Sequence, residues 1–295
     1  MEIFETWPAA LFVVCGLVGL VVGSFLNVVA YRVPLMMELA WRRQLDDIEA
    51  EPFTPPPHTD AGKRFDLWWP PSACPKCGVP IASRHNVPVL SYLWLRGRCA
   101  ACGAPVSRRY PLVEAAVAVS SLVVAWVFGP TWQTAAALAF TWTLIALALI
   151  DYDTKLLPDS LTLPLMWGGL LLALVEAGGE PVFADLRSSV IGAAAGYLSL
   201  WSVYHLFKLV TGKEGMGYGD FKLLAAIGAW LGWQMLPLVI LLSAAVGSVV
   251  GIGLIVLQGR SRQAAIPFGP YLAAAGWIAL LWGADLVAWY ESLLR

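Results

Sequence analysis

Charged residues are scarce in this chain of 295 residues. They make up 13% of the sequence, and hydrophobic residues make up 59%, whereas soluble domains are about a quarter charged and about half apolar. A water-soluble core cannot absorb that excess of apolar surface, but a lipid bilayer can. The net charge of -1 indicates no class of charged partner. The composition therefore excludes an ordinary soluble domain and predicts an integral membrane protein.

Several common catalytic and targeting signatures are also missing. The sequence contains no GxSxG nucleophile motif and no HExxH zinc-protease motif, which leaves serine and zincin protease chemistry without support. No GxGxxG follows a predicted strand, so a soluble α/β methyltransferase domain is not indicated. Residues 1–8 contain two glutamates and no Lys or Arg, unlike the basic start of a signal peptide. The first apolar run is therefore predicted to remain as a membrane span.

The apolar residues fall into runs long enough to cross a bilayer as helices, since a span needs about 20 residues. They are also too long and too evenly apolar for barrel strands. The sequence predicts an all-α polytopic membrane protein of about eight transmembrane helices, the sixth being short. The runs cover residues 9–30, 111–128, 132–150, 160–177, 188–210, 221–233, 235–257 and 267–288.

Basic residues predict the sidedness, because cytoplasmic loops of membrane proteins carry an excess of Lys and Arg. The loop between the first two runs, residues 31–110, holds 11 of the 19 basic residues. These are Arg32, Arg42, Arg43, Lys63, Arg64, Lys76, Arg84, Arg96, Arg98, Arg108 and Arg109. We therefore expect this loop in the cytoplasm, and the parity of the spans puts residues 151–159 and 211–220 on the same side.

Three parts follow from this organisation. Residues 1–30 form the first transmembrane helix, residues 31–110 a cytoplasmic loop domain, and residues 111–295 a transmembrane core. Within the loop, Leu35 to Ile48 is typical of an amphipathic interfacial helix, and Pro52 to Pro57 of a stiff linker.

Four of the five cysteines form two CxxC pairs, Cys74 with Cys77 and Cys99 with Cys102, each followed by glycine. Two thiolate pairs at this spacing can surround a tetrahedral Zn²⁺ ion. Disulfides or a redox pair are the alternatives, but disulfides do not persist in the cytoplasm. The sequence predicts a zinc-ribbon-like site, structural because four thiolates leave no open position. Nucleic-acid binding is not expected of such a module in a loop between two spans.

The remaining cysteine and the three histidines are predicted to have no role in the site. Cys15 lies inside the first apolar run and suits apolar packing. His58 and His85 are interpreted as exposed loop residues, since the cysteines already complete a metal site. His205 lies on an apolar helix and is interpreted as a packing residue.

Acidic residues at the predicted membrane edge are the candidates for chemistry, because ionisable groups at membrane depth are costly. Asp151 follows the third run, and Asp220 ends a Gly217-Tyr-Gly-Asp220 segment. Two carboxyl groups that meet in a low-dielectric pocket share one proton and can hydrolyse a peptide as acid and base. Asp153 and Asp159 compete with Asp151 on the same grounds, and a capping role for any of them remains open.

The residues together resemble the type IV prepilin peptidase family, a group of GxGD-type aspartyl peptidases. The resemblance covers nearly the whole chain. It is carried by the paired CxxC motifs, the Gly-Tyr-Gly-Asp segment, and the stretches 23–34, 86–92, 96–99, 109–114, 151–159 and 161–164. In that family the first catalytic aspartate stands eight residues before a second one. The resemblance therefore selects Asp151, ahead of Asp159, as the partner of Asp220.

The resemblance also implies a function. Family members cleave the short basic leaders of prepilins and of type II secretion pseudopilins at the cytoplasmic face of the inner membrane. Long members, which have the cysteine loop, then methylate the new N-terminal amine with S-adenosylmethionine. The region of Arg96-Gly97-Arg98 and Glu114 is a candidate place for the methyl donor. The oligomeric state and the particular prepilin are not indicated.

Two other classes of function remain open. The first is an ion- or proton-coupled transporter using intramembrane carboxylates, although no pair of broken helices in related halves is evident. The second is a non-catalytic membrane scaffold for pilus or secretion assembly, which predicts that replacing either aspartate has no effect.

Overall fold

The computed structural model describes residues 7–44, 64–258 and 266–294. The chain divides into two compact units, residues 1–126 and residues 127–295, which are described separately. Long helices dominate both, as the apolar runs predict.

The first unit is built on two long helices, α1 (Pro8–Gln44) and the greater part of α3 (Arg109–Phe128). Between them lie a 3-10 turn (Ser83–His85) and the short helix α2 (Leu90–Trp94). The helix predicted over Leu35–Ile48 is not a separate element, because α1 continues through Pro34 to Gln44 without a break. The predicted linker Pro52–Pro57 and His58 lie outside the described residues.

A buried arginine on α1 holds the start of the loop domain. Arg32 donates hydrogen bonds to the carbonyl oxygens of Asp66 (2.8 Å) and Pro70 (2.6 Å). The Asp66 carboxylate accepts the backbone N–H groups of Trp68 and Trp69 at 2.8 Å, which lowers the pKa of that carboxyl. Because Arg carries several donors in a rigid fork, it ties both ends of this tight segment to the helix.

The second unit contains α4 (Trp132–Thr154), α5 (Asp159–Leu172), α6 (Leu186–Thr211), α7 (Tyr218–Leu231), α8 (Leu236–Gln258) and α9 (Gly269–Leu294). A two-stranded antiparallel hairpin joins α5 to α6, with β1 at Glu176–Ala177 and β2 at Glu180–Pro181. The fourth apolar run was expected to extend to residue 177, but its helix ends at Leu172. The turn of this hairpin contains Gly178 and Gly179, both at positive φ.

Six of the helices in the described residues are long and apolar enough to cross a membrane: α1, α3, α4, α6, α8 preceded by a short 3-10 turn, and α9. The expected count of eight is not confirmed. The other two, α5 and α7, have 14 residues each. At 1.5 Å per residue they are about 21 Å long, short of the roughly 30 Å of a hydrocarbon core.

Helix α7 forms the centre of the second unit. It is buried on nearly every side between Asp220 and Trp230, as expected of a helix that is apolar all round. It packs against α5, α6 and α9. The approach to α6 is close because Gly192 and Gly228 face each other, where a Cβ on either would clash with the other's backbone. The first turn of α7 carries Asp220, whose carboxyl group interacts electrostatically with Asp151 in the last turn of α4.

Candidate catalytic and metal sites

Asp151 lies in the last turn of α4 and is only 5% exposed. The helix ends three residues later, where Lys155 takes a left-handed conformation and donates its backbone N–H to the Asp151 carbonyl. This termination leaves the carboxylate at the end of the helix yet inside the unit.

Asp220 is the third residue of α7 and is 7% exposed. Its backbone N–H donates to the carbonyl of Gly217 at 3.2 Å. The carboxylates of Asp220 and Asp151 are close enough to interact electrostatically. Two buried carboxylates in this arrangement cannot both ionise easily and therefore tend to share one proton. The arrangement can supply an acid and a base to the same reacting group.

The two competing aspartates are placed differently. Asp159 begins α5 and accepts two hydrogen bonds from Lys222 Nζ, at 2.6 and 2.7 Å, in a partly exposed ion pair. Asp153 is exposed on the last turn of α4. The structure therefore brings Asp151 to Asp220 and gives Asp159 a contact with a lysine two residues beyond Asp220.

Sequence reasoning missed two residues of this region. The first is Lys222, which contacts Asp159. The second is Gly269, whose backbone N–H donates to Oδ2 of Asp151 at 2.8 Å in a buried contact. The only sequence signal near it is the Pro267-Phe-Gly-Pro270 segment, which marks a helix start but no chemistry. A backbone donor from a helix 118 residues away has no sequence pattern of its own.

The four cysteines of the CxxC pairs meet in the first unit. Their Sγ atoms all lie within 4.8 Å of one another, and those of Cys74 and Cys102 are 3.9 Å apart. A tetrahedral Zn²⁺ ion with Zn–S bonds of about 2.3 Å separates its sulfurs by about 3.8 Å. None of the five cysteines forms a disulfide. The cluster therefore fits a tetrahedral metal ion, as the spacing predicts.

The two halves of the cysteine cluster repeat the same backbone pattern. Cys74 N–H donates to the carbonyl of Val79, and Cys99 N–H donates to that of Ala104, five residues on in each case. Gly78 and Gly103, at φ of 71° and 69°, close the two turns in a conformation that glycine adopts without strain. The backbone N–H groups of Cys77 and Lys76 lower the pKa of the Cys74 thiol to about 6, whereas burial and the neighbouring thiols raise the pKa of the Cys77 thiol to about 11.

The remaining candidates are not members of the metal-binding group of the described residues. Cys15 is buried, as expected for apolar packing. His85, predicted to be an exposed loop residue, is instead half-buried in the 3-10 turn. Among the described residues the metal-binding group contains the four cysteines alone. His205 is exposed at the surface of α6 and packs against Trp201, with ring centroids 4.3 Å apart. Glu114 is buried and accepts the backbone N–H of Val89 at 2.7 Å.

Fold and site together define a class: a multi-pass helical membrane protein with a buried aspartate pair in one unit and a four-cysteine metal-binding cluster in the other. Residues 17–128 match the family model described as "Bacterial Peptidase A24 N-terminal domain". Residues 138–252 match the "Type IV leader peptidase family".

Three relatives are similar to this chain over nearly its full length. The chain is 54% identical to a protein of Aeromonas salmonicida over 294 residues, covering 100% of this chain and 98% of the relative. It is 53% identical to one of Stutzerimonas stutzeri over 296 residues, covering 100% and 99%. It is also 54% identical to one of Pseudomonas aeruginosa over 294 residues, covering 98% and 97%. All three carry the name "Prepilin leader peptidase/N-methyltransferase".

The chain therefore belongs to the type IV leader peptidase family, which confirms the resemblance seen in its sequence motifs. No solved structure matches the chain. The transporter alternative finds no support in these comparisons.

Proposed function

We propose that this chain removes the basic leader from prepilins and type II secretion pseudopilins and then methylates the new N-terminal amine. The observation that supports the first activity is the pair of buried carboxylates, Asp151 and Asp220, which approach each other from two helices of one unit. The support for the second is the name shared by relatives about 54% identical over the whole chain.

In the proposed hydrolysis the two aspartates share the work of acid and base. The ionised carboxylate takes a proton from a water molecule as the water oxygen attacks the peptide carbonyl carbon. The protonated carboxyl donates its proton to the carbonyl oxygen, which forms a tetrahedral intermediate. Transfer of a proton to the leaving nitrogen then breaks the C–N bond and regenerates the pair. This scheme needs no nucleophilic side chain.

The four cysteines Cys74, Cys77, Cys99 and Cys102 are proposed to hold Zn²⁺ in a structural role. The fit of the sulfur cluster to tetrahedral geometry supports this ion. Four protein ligands complete its coordination, so the ion takes no part in the proposed peptide cleavage. Its effect is to hold a loop domain with few buried apolar residues in one conformation.

S-adenosylmethionine is the proposed methyl donor, and when bound it supplies an activated methyl group to the free N-terminal amine. Of the region suggested by the sequence, Glu114 already contacts the backbone N–H of Val89 inside the first unit. The region of Arg96-Gly97-Arg98 and Glu114 stays a prediction for the place of this donor.

The proposed location is the inner membrane, with the aspartates at the cytoplasmic face. The supporting feature is the concentration of Lys and Arg in residues 31–110, since such loops stay in the cytoplasm. In such a substrate the basic leader remains in the cytoplasm and the apolar segment behind it enters the bilayer. The scissile bond between them would then lie at the cytoplasmic face of the membrane, beside the two aspartates.

The test is mass spectrometry of a prepilin with a basic leader after incubation with the purified protein and S-adenosylmethionine in lipid nanodiscs. The expected result is a shortened chain carrying one additional methyl group on its N-terminus. Cleavage without methylation would overturn the second activity alone. An intact prepilin would overturn the peptidase proposal, and ion flux in proteoliposomes would then favour a transporter.

A further inference from the structure

The first residue of helix α9 contacts the proposed catalytic carboxylate directly. The N–H of Gly269 donates to Oδ2 of Asp151 at 2.8 Å, and both residues are buried. The carbonyl of the preceding residue, Phe268, accepts the N–H groups of Tyr271 and Leu272. Gly269 is therefore in the first turn, where backbone N–H groups have no partner within the helix. The Asp151 carboxylate accepts from the Gly269 N–H, and the N-terminal end of α9 favours a negative charge at this position.

The same position leaves no room for a side chain. A Cβ at residue 269 would lie 2.7 Å from Oδ2 and 3.0 Å from Cγ of Asp151. These separations are below ordinary van der Waals contact, so any larger residue would push the carboxylate away or displace the start of α9. Glycine here both donates to the carboxylate and permits the close approach.

We propose that Gly269 is a positioning residue for peptide cleavage, holding Oδ2 of Asp151 so that the other carboxylate oxygen is directed at the water shared with Asp220. This inference rests on the proposed peptidase function and adds a third helix to the site. The matched region of the peptidase family model ends at residue 252, so it assigns no role to α9. A misplaced carboxylate affects the reaction more than substrate binding, because catalysis depends on alignment of the reacting atoms.

The first experiment compares Gly269→Ala with Gly253→Ala. Gly253 lies on α8, and a Cβ there would meet no atom within 4 Å, so it controls for a glycine-to-alanine change in the same unit. We expect Gly269→Ala to lower kcat for prepilin cleavage at least tenfold while KM stays within twofold, and Gly253→Ala to change neither. A folded Gly269→Ala protein with kcat within twofold of the unsubstituted protein would overturn the proposal.

A second experiment remains decisive if Gly269→Ala does not fold. Asp151→Asn keeps a side-chain oxygen that can accept the Gly269 N–H, whereas Asp151→Leu does not. Hydrogen exchange is measured on a peptide covering residues 266–272, in which the prolines at 267 and 270 carry no amide hydrogen. We expect faster exchange in Asp151→Leu than in Asp151→Asn. Equal exchange would overturn the contact, even if the unsubstituted protein failed to cleave and the peptidase proposal itself fell.

Discussion

The two candidate sites are assembled in opposite ways. The four cysteines lie within 29 residues of one another, in two turns with the same hydrogen-bond pattern. The two aspartates are 69 residues apart and meet only because α7 packs inside the bundle of the second unit. The metal site is thus a product of local sequence, and the carboxylate pair is a product of helix packing. We therefore expect substitutions in the carboxylate pair to abolish cleavage, and substitutions in the metal site to release the metal ion.

The largest expected effect is the loss of cleavage on removing either carboxylate. Asp151→Asn and Asp220→Asn keep the size of the side chain but can neither ionise nor carry the shared proton. We expect each to lower kcat by about 10³-fold or more, measured by cleavage of a prepilin with a basic leader. Yield and thermal unfolding should change little.

Asp285→Asn is the matched control, because Asp285 is an exposed aspartate on α9 of the same unit. It should cleave at the unsubstituted rate. Normal prepilin cleavage by Asp151→Asn would show that Asp151 and Asp220 are not the catalytic pair. The proposed difference between the carboxylate site and the metal site would then be contradicted.

The next effect is loss of metal from the cysteine cluster. Cys74→Ser or Cys99→Ser leaves three thiolates, and we expect bound zinc to fall well below one ion per chain, as measured by mass spectrometry of the metal. Cleavage within residues 64–108 by an added protease should increase, because the loop domain loses its cross-link. Peptidase activity should decrease far less than in the aspartate variants.

Cys15→Ala provides the control for the cysteine series, since Cys15 is buried in α1 and is not a member of the metal-binding group. It should keep its zinc in full. If the Cys74 and Cys99 variants also retained zinc, the four-cysteine site would not be the metal site. If they lost activity as completely as the aspartate variants, the two sites would be more closely coupled than proposed.

The smallest expected effect concerns the ion pair of Lys222 and Asp159, which links the start of α5 to α7. Pairs that are partly exposed contribute about 1 kcal/mol or less, and the like charges that Lys222→Asp or Asp159→Lys would create cost a similar amount. Each single variant should therefore lower kcat by about thirtyfold at most. The double exchange of both residues should restore most of this loss. The measurement is the rate of prepilin cleavage in all three variants.

Glu214→Gln serves as the control for this pair, because it removes a similarly exposed ion pair with Lys208 in the same unit. It should leave kcat unchanged. A double exchange as impaired as either single variant would show that Lys222 or Asp159 acts through some other contact.

The helices were predictable because membrane hydropathy is a continuous local signal. Five of the eight apolar runs, the second, third, fifth, sixth and seventh, match observed helices to within four residues at each end. The fourth was predicted five residues too long, and the first and eighth helices continue 14 and six residues beyond the ends of their runs. Hydropathy predicted the short length of α7, but it did not reveal that α5 is short or that α7 is enclosed by its neighbours. A helix buried in protein and a helix facing lipid are apolar for different reasons, but their sequences have similar hydropathy.

The choice among the aspartates shows where local reasoning stops. Asp151, Asp153 and Asp159 all follow the same apolar run, and spacing alone left them equivalent until the family resemblance favoured the first. The structure separates them through their surroundings: one is buried beside Asp220, one is exposed, and one is paired with Lys222.

By itself, the sequence determined the membrane class, the approximate helix positions and the metal cluster, because composition, hydropathy and CxxC spacing act over short stretches of chain. Only the tertiary structure decided which carboxylates meet and that the Gly269 N–H binds one of them. Such contacts join residues that are far apart in the chain, and one partner is a backbone group common to almost every residue. Their positions depend on how whole helices pack.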